Sequence, residues 1–234
     1  MISGQQLITE NIFRVLEWLH RMCGKILPIG LISILLIFLL SPSVFSAEMV
    51  KVKWIDDGDT ILLADGRRVR YIGVNAPEVA HPEKGQVAEP FGVAASKQNK
   101  CLVYGHRVRL DFDREKKDRY GRVLAYVYLE DGTFVNLKMV ESGYAYVLYL
   151  KPNTRFDRTL IKAQRRAMAS GRGIWSDWTA SDNKEGIIGN KRSRRFHRKS
   201  CPNAGSIHPK NRIALSSRWE AFWLGYAPAK QCGP

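Results

Sequence analysis

The chain has 234 residues, 45% of them hydrophobic and 25% charged, which is the composition of a globular protein and excludes a disordered polyelectrolyte. Its 37 lysines and arginines against 22 aspartates and glutamates leave a formal charge of +15, which favours polyanionic partners such as nucleic acid over basic ones. A chain of this length accommodates one domain of good size with a small appendage.

From the N-terminus, Ile26 to Leu40 is an apolar run without a charge. It is shorter than the roughly 20 residues of a comfortable transmembrane helix and suits the hydrophobic region of a signal peptide. Lys25 precedes it, Pro42 follows it, and Val44-Phe45-Ser46-Ala47 offers small residues for cleavage after Ser46 or Ala47. Residues 1–47 are therefore expected to be a signal peptide or, uncleaved, an N-terminal membrane anchor, with Met22 as the start of translation. The body is expected to be exported, periplasmic or secreted, and to touch a membrane only through this segment. Cys23 would leave with the signal. Cys101, alone in a helix-like stretch, reads as a buried small hydrophobe.

Val50-Lys51-Val52-Lys53-Trp54-Ile55 alternates apolar with basic residues, the period of a strand. Asp57-Gly58-Asp59-Thr60 then makes a turn before Ile61-Leu62-Leu63, and Asp65-Gly66 joins that run to Arg67–Val74. Asp-Gly between two such runs predicts a β-hairpin. The hairpin carries Asp59 at one end and Arg70 along its second strand, with Glu78 just past Asn75-Ala76-Pro77. Glu89 to Tyr104 reads as a helix with an apolar stripe, stopped by Gly105. Arg107 to Asp113 alternates as a half-buried strand, and Val123–Leu129 is a further strand. Asn136 is expected to cap a short helix over Leu137–Ser142, and a last helix spans about Thr154 to Ser170. Periodicity alone supports an α+β fold with a twisted antiparallel sheet.

The stretch Asp57 to Glu78 resembles the staphylococcal nuclease (thermonuclease) family. Asp118-Arg119-Tyr120-Gly121-Arg122-Val123-Leu124-Ala125-Tyr126 resembles that family's second motif, and Val135-Asn136, Gly143-Tyr144-Ala145, Lys151-Pro152-Asn153 and Gly173-Ile174-Trp175 follow in order. The resemblance covers residues 48–178 and implies a five-stranded OB-type barrel with about three packed helices, and a monomer is expected. It also implies hydrolysis of phosphodiester bonds in DNA or RNA, leaving 3′-phosphates.

The residue types suit that chemistry. A guanidinium forks onto two phosphate oxygens and stays charged, so Arg70 and Arg122 are the candidates for holding the phosphate and offsetting its extra charge. Glu78 is the candidate base or orienter of the attacking water. Calcium is the implied metal, with Asp59 and the carbonyl of Ala76 as ligands. Asn75 stands where the family places a second aspartate, so its site carries less charge. The segment Ala145–Lys151 is slightly shorter than the pattern that brings two tyrosines to the nucleotide, and Tyr149 is assigned as one of them. Taken singly, Asp59 also reads as a turn residue, Arg70 with Glu78 as an ion pair at a strand end, and Asp118 with Arg122 as a loop brace. The runner-up reading for the whole is a nucleic-acid-binding OB module without activity.

Residues 179–195 are polar and basic and read as a linker. Residues 196–234 form a small appendage in which Ser217 and Glu220 make a capping box and Gly225 ends a helix. A unit of that size calls for a staple. The stretch resembles the Ada-like metal-binding module, with Ala229 where that pattern has a cysteine, leaving His197, Cys201 and Cys232. Either His208 completes a zinc site with them, or Cys201 and Cys232 form a disulfide, which suits an exported protein.

Overall fold

Alternation draws Met49–Ile55 into strand β1, with Val52 buried between exposed Lys51 and Lys53. The register slips once between Val52 and Trp54, which leaves Trp54 57% exposed and returns Ile55 to the core. In the computed structural model, residues 13–18, 48–80, 85, 87–176 and 186–230 are described. The chain divides into two units, Met1–Ser46 and Ala47–Pro234. Of the first, residues 13–18 are helical. The apolar run Ile26–Leu40 and the expected cleavage site lie outside the described residues, and no described helix is long and apolar enough to cross a membrane.

The predicted hairpin forms β2 (Thr60–Leu63) and β3 (Arg68–Tyr71), with Leu63 N–H donating to the Arg67 carbonyl across the Asp65-Gly66 turn at 2.9 Å. Its register sets Arg70 opposite Thr60, one residue from Asp59. A short strand β4 (Val74–Asn75) follows, then helix α1 (Gly92–Val103) and β5 (Arg107–Asp111), β6 (Val123–Leu129). The strands close as β1-β2-β3-β6-β5 into the expected barrel. One pairing, β3 with β6, is parallel and aligns Val69 with Val123, which brings Arg122 level with the arginines of β3. Helices α2 (Val135–Glu141) and α3 (Asp157–Ala169) pack on the barrel, and β7 (Tyr146–Val147) pairs with β4.

Two expectations about the helices need correcting. Asn136 does not cap α2; that position belongs to Phe134, and Asn136 is fully buried, accepting from Val127 N–H at 2.9 Å and donating to the Ile72 carbonyl at 2.9 Å. Its amide thus ties the helix to β6 and to the end of β3, as a buried amide must be tied to something. Cys101 is exposed. The buried stripe of α1 runs Gly92, Ala95, Asn99, Val103, and at 100° per residue Cys101 falls on the opposite side.

The expected linker 179–195 is not one throughout. Residues 177–185 lie outside the described residues, but Ile187–Asn190 form β8, hairpin-paired with β9 (Arg195–Arg198). Helix α4 (Pro202–Gly205), β10 (Arg212–Leu215), helix α5 (Arg218–Trp223) and β11 (Ala227–Pro228) complete a four-stranded sheet of order β10-β8-β9-β11. Ser217 caps α5 by accepting from Glu220 N–H at 3.0 Å, while the Glu220 carboxylate turns back to Ser216. This sheet shares an apolar core with the body: Ala167, Met168 and Trp175 pack with Ile187, Phe196, Leu215 and Phe222. The shared core supplies the burial that a unit of this size lacks alone. Gln164, buried on α3, accepts from Val147 N–H at 2.6 Å and donates to the Phe222 carbonyl, bridging body and appendage.

Candidate active site

The β1–β2 turn presents three acids, Asp56, Asp57 and Asp59, to one cavity of about 1080 Å³. Asp57 accepts from Asp59 N–H at 2.8 Å, the self-bonded turn expected of Asp in this position. Asn99 on α1 holds the turn from below, donating to the Asp57 carbonyl at 2.9 Å and accepting from Tyr71 OH at 2.9 Å. Gly58 permits the approach, since a Cβ there would lie 2.5 Å from Ala76 Cβ and 2.8 Å from Ala95 Cβ. Asp59 is buried, accepting from Ala76 N–H at 2.7 Å and pairing with Arg70 at 2.9 Å. Burial, with Asp57 adding to it, pushes its carboxyl up to about 8 against the pull of Arg70.

Arg70 is itself buried and held on four sides. One terminal nitrogen donates to the carbonyls of Tyr71 and Val74, the other to Asn75 Oδ1 and Asp59 Oδ2. Glu78 follows on the chain leaving β4; its N–H donates to Glu89 Oε2 at 3.0 Å and its carbonyl accepts from Glu89 N–H at 2.9 Å. Arg122 stands at the mouth of β6, where its Nε meets Asp118 Oδ2 at 2.7 Å and its guanidinium lies 5.6 Å from the centre of the Tyr120 ring. Although burial alone would raise the Asp118 carboxyl, hydrogen bonds from Arg122 hold it below the ordinary range. The loop-brace reading of Asp118 and Arg122 is therefore realised, and the terminal nitrogens of Arg122 have no acceptor among the described residues.

Arg70, Glu78 and Arg122, distant in sequence, line the same cavity as Asp59 and Asn75. Two other assignments are altered. Asn75 turns its amide oxygen to Arg70, while its Nδ2 donates to the Ala76 carbonyl at 3.1 Å and to Tyr146 OH at 2.9 Å. Both oxygens expected to face a cation are thus engaged elsewhere. Tyr149 does not line the cavity; its ring lies 5.3 Å from the Arg194 guanidinium of the C-terminal sheet. Leu148 and Leu150, on either side of it, form that wall instead, because side chains alternate along an extended segment. Sequence reasoning missed Asn99, Glu89 and Tyr146, polar groups that hold the site in place. Their one local signal was position, each lying on a segment next to a motif.

Of the C-terminal candidates, His197 Nδ1 lies 3.6 Å from Cys201 Sγ. Cys201 is disulfide-bonded, its partner outside the described residues, as is Cys232, and a sulfur so bonded is not a thiolate ligand. His208 is turned to its own 3₁₀ segment, accepting from Lys210 N–H at 3.3 Å. Among the described residues no group of three His, Cys, Asp or Glu side chains is arranged for a metal.

A five-stranded OB-type barrel with two arginines, a carboxylate and an acidic turn around one cavity is the framework of a phosphodiester hydrolase. Residues 68–177 match the family described as Staphylococcal nuclease homologue. The thermonuclease of Staphylococcus intermedius is 42% identical over 131 residues, 55% of this chain and 76% of the relative. That of Staphylococcus hyicus is 37% identical over 133 residues, 56% and 77% of the two chains. Endonuclease YncB of Bacillus subtilis (strain 168) is 38% identical over 125 residues, 51% of this chain and 58% of the relative. The chain belongs to the staphylococcal nuclease family and is a hydrolase of the nuclease class.

Proposed function

We propose that this nuclease is an exported endonuclease that cuts DNA or RNA with the help of calcium and leaves 3′-phosphates. The observation that carries the reading is the convergence of Arg70, Arg122 and Glu78 on one cavity beside Asp59. Glu78, half-exposed on the wall, takes the proton of the attacking water. Arg122 offers its two terminal nitrogens, and Arg70 its Nε, to phosphate oxygens as charge builds there. Leu148 and Leu150 give an apolar wall for sugar or base.

The donor set fits a hard cation in part. Asp57 and Asp59 bring carboxylate oxygens together on one turn, and Asp59 is buried with a raised pKa that a cation would relieve. Asn75 adds no charge, so affinity is expected to be modest. When bound, calcium would neutralise charge on the phosphate. Export is supported by the apolar run Ile26–Leu40 and by the disulfide at Cys201, a bond of oxidising compartments.

The test is hydrolysis of single- and double-stranded DNA and RNA with calcium, then with chelator, for the wild type and Glu78→Gln. The variant is expected to lose on the order of 10²–10⁴-fold in rate. Binding of nucleic acid without any hydrolysis in calcium would instead leave a binding module.

A further inference from the structure

The part of the chain that matches the nuclease family ends at residue 177, yet the cavity wall includes Lys230 from the far end of the C-terminal sheet. The segment leading to it is fixed by strand pairing. β11 runs parallel to β9, with Ala227 N–H donating to the Arg194 carbonyl at 3.0 Å and Ala229 N–H to the Phe196 carbonyl at 2.9 Å. β9 in turn is anchored to the body by Arg195, which reaches the Tyr149 carbonyl at 3.4 Å, while within the appendage Phe196 packs on Phe222 with ring centres 5.2 Å apart. Phe222 also meets Tyr146, the residue that receives the Asn75 amide, with ring centres 5.3 Å apart. The sheet is thus fastened to the wall that holds Arg70, and the position of Lys230 follows from that fastening.

Three of the arginines at the cavity are balanced in ion pairs, while Lys117 and Arg119, like Lys230, have no acidic partner among the described residues. Arg68 meets Asp56 at 2.7 Å, Arg70 meets Asp59 and Arg122 meets Asp118. Lys230 is exposed and has no acidic partner among the described residues. A compact, strongly hydrated ammonium on a flexible stem suits a phosphate that must be held but not oriented. A strand threading the cavity carries phosphates on both sides of the one attacked by water, and each cation that meets one releases a counterion.

We propose that the C-terminal sheet is a built part of the nucleic-acid groove and that Lys230 holds a phosphate flanking the one that is cleaved. The substrate it selects is a strand longer than a dinucleotide. The inference rests on the nuclease reading for its kinetic consequences, but its electrostatic consequence can be read without cleavage.

The experiment compares the full chain with Lys230→Ala, Lys230→Arg and Lys191→Ala on a single-stranded DNA oligomer and on a dinucleotide, over a series of salt concentrations. Lys191 is exposed on the β8–β9 turn of the same sheet and does not line the cavity, so its variant controls for loss of one positive charge. Lys230→Ala is expected to raise KM for the oligomer about three- to fivefold, as suits one exposed charge contact. The dinucleotide, which has no flanking phosphate, should be cut as by the wild type. In chelator, where nothing is cut, binding of the oligomer should show a log–log salt slope shallower by about 0.7 for Lys230→Ala, with Lys230→Arg and Lys191→Ala keeping the wild-type slope. An unchanged slope for Lys230→Ala overturns the inference whether or not the wild type cuts DNA. An equal loss on the dinucleotide overturns it too, because the defect would then lie at the cleaved phosphate. Failure of the wild type to cut either substrate, with the slope difference present, would count against the nuclease reading and leave the groove intact.

Discussion

The placement of Glu78 depends on a residue with no side chain. Gly92 opens α1, and a Cβ built there would sit 2.1 Å from the Glu78 carbonyl oxygen, 2.7 Å from its carbon and 3.2 Å from Val79 N. An ordinary contact is about 3.4 Å, so Gly92→Ala requires roughly 1 Å of separation. The helix cannot supply it, because Ala95, Asn99 and Val103 are fully buried and Asn99 is bonded to the Asp57 turn. The displacement therefore falls on Glu78. Alanine is the better helix former by up to about 1 kcal/mol, which works against any loss of stability from the helix itself. Overpacking costs about 1–3 kcal/mol, a fall in Tm of roughly 2–12 °C for a unit of this size. A misplacement of about 1 Å at a catalytic group costs on the order of 10²-fold. Steady-state kinetics with thermal unfolding of the same samples should show kcat about 100-fold lower, KM little changed and a folded protein at the assay temperature. Wild-type kcat together with the expected loss of Tm would refute the argument that Glu78 must stand where it does.

Two further outcomes follow from the geometry. In Asn75→Asp a second carboxylate replaces an amide whose Nδ2 now donates to the Ala76 carbonyl at 3.1 Å. Loss of that donor is expected to lower stability by about 1–3 kcal/mol in chelator, while the added charge moves calcium activation to about tenfold lower concentration; an unmoved midpoint in a calcium titration would contradict it. Asp157, in the first turn of α3, has its carboxyl raised from 3.8 to about 6, chiefly by burial, with Arg194 opposing and Asp113 adding. The folded state then holds its proton over a range where the unfolded chain has released it, so stability falls as pH rises from about 4 to 6 and the cost persists above. With the group partly open to solvent, Asp157→Asn is expected to stabilise by about 1 kcal/mol near pH 7 and by nothing near pH 3, as read by Tm. A gain at low pH instead would show the carboxylate to be stabilising.

Features built from neighbours along the chain were legible beforehand. The Asp65-Gly66 hairpin, the self-bonded turn around Asp57 and Asp59, the strands β5 and β6 and the amphipathic α3 all declare themselves within a few residues, since turn chemistry and side-chain periodicity are local properties. Arg70, Glu78 and Arg122 were named from their motifs, and their residue types already stated the chemistry. Their common cavity required the parallel pairing of β3 with β6, a contact between segments far apart that no local pattern encodes. The same holds for Asn99 under the acidic turn, for Glu89 against Glu78, and for Gln164 between Val147 and Phe222. Cys101 went to the surface because the other stripe of α1 met the barrel, and Tyr149 left the cavity because alternation put two leucines there. A basic stretch that reads as linker became β8 once α3 offered its apolar face to the C-terminal sheet. Composition and order along the chain therefore determined the class of chemistry and the residues able to perform it. Which of them meet, and the recruitment of Lys230 to the same wall, was decided by packing, because burial rewards contacts without regard to their separation in sequence.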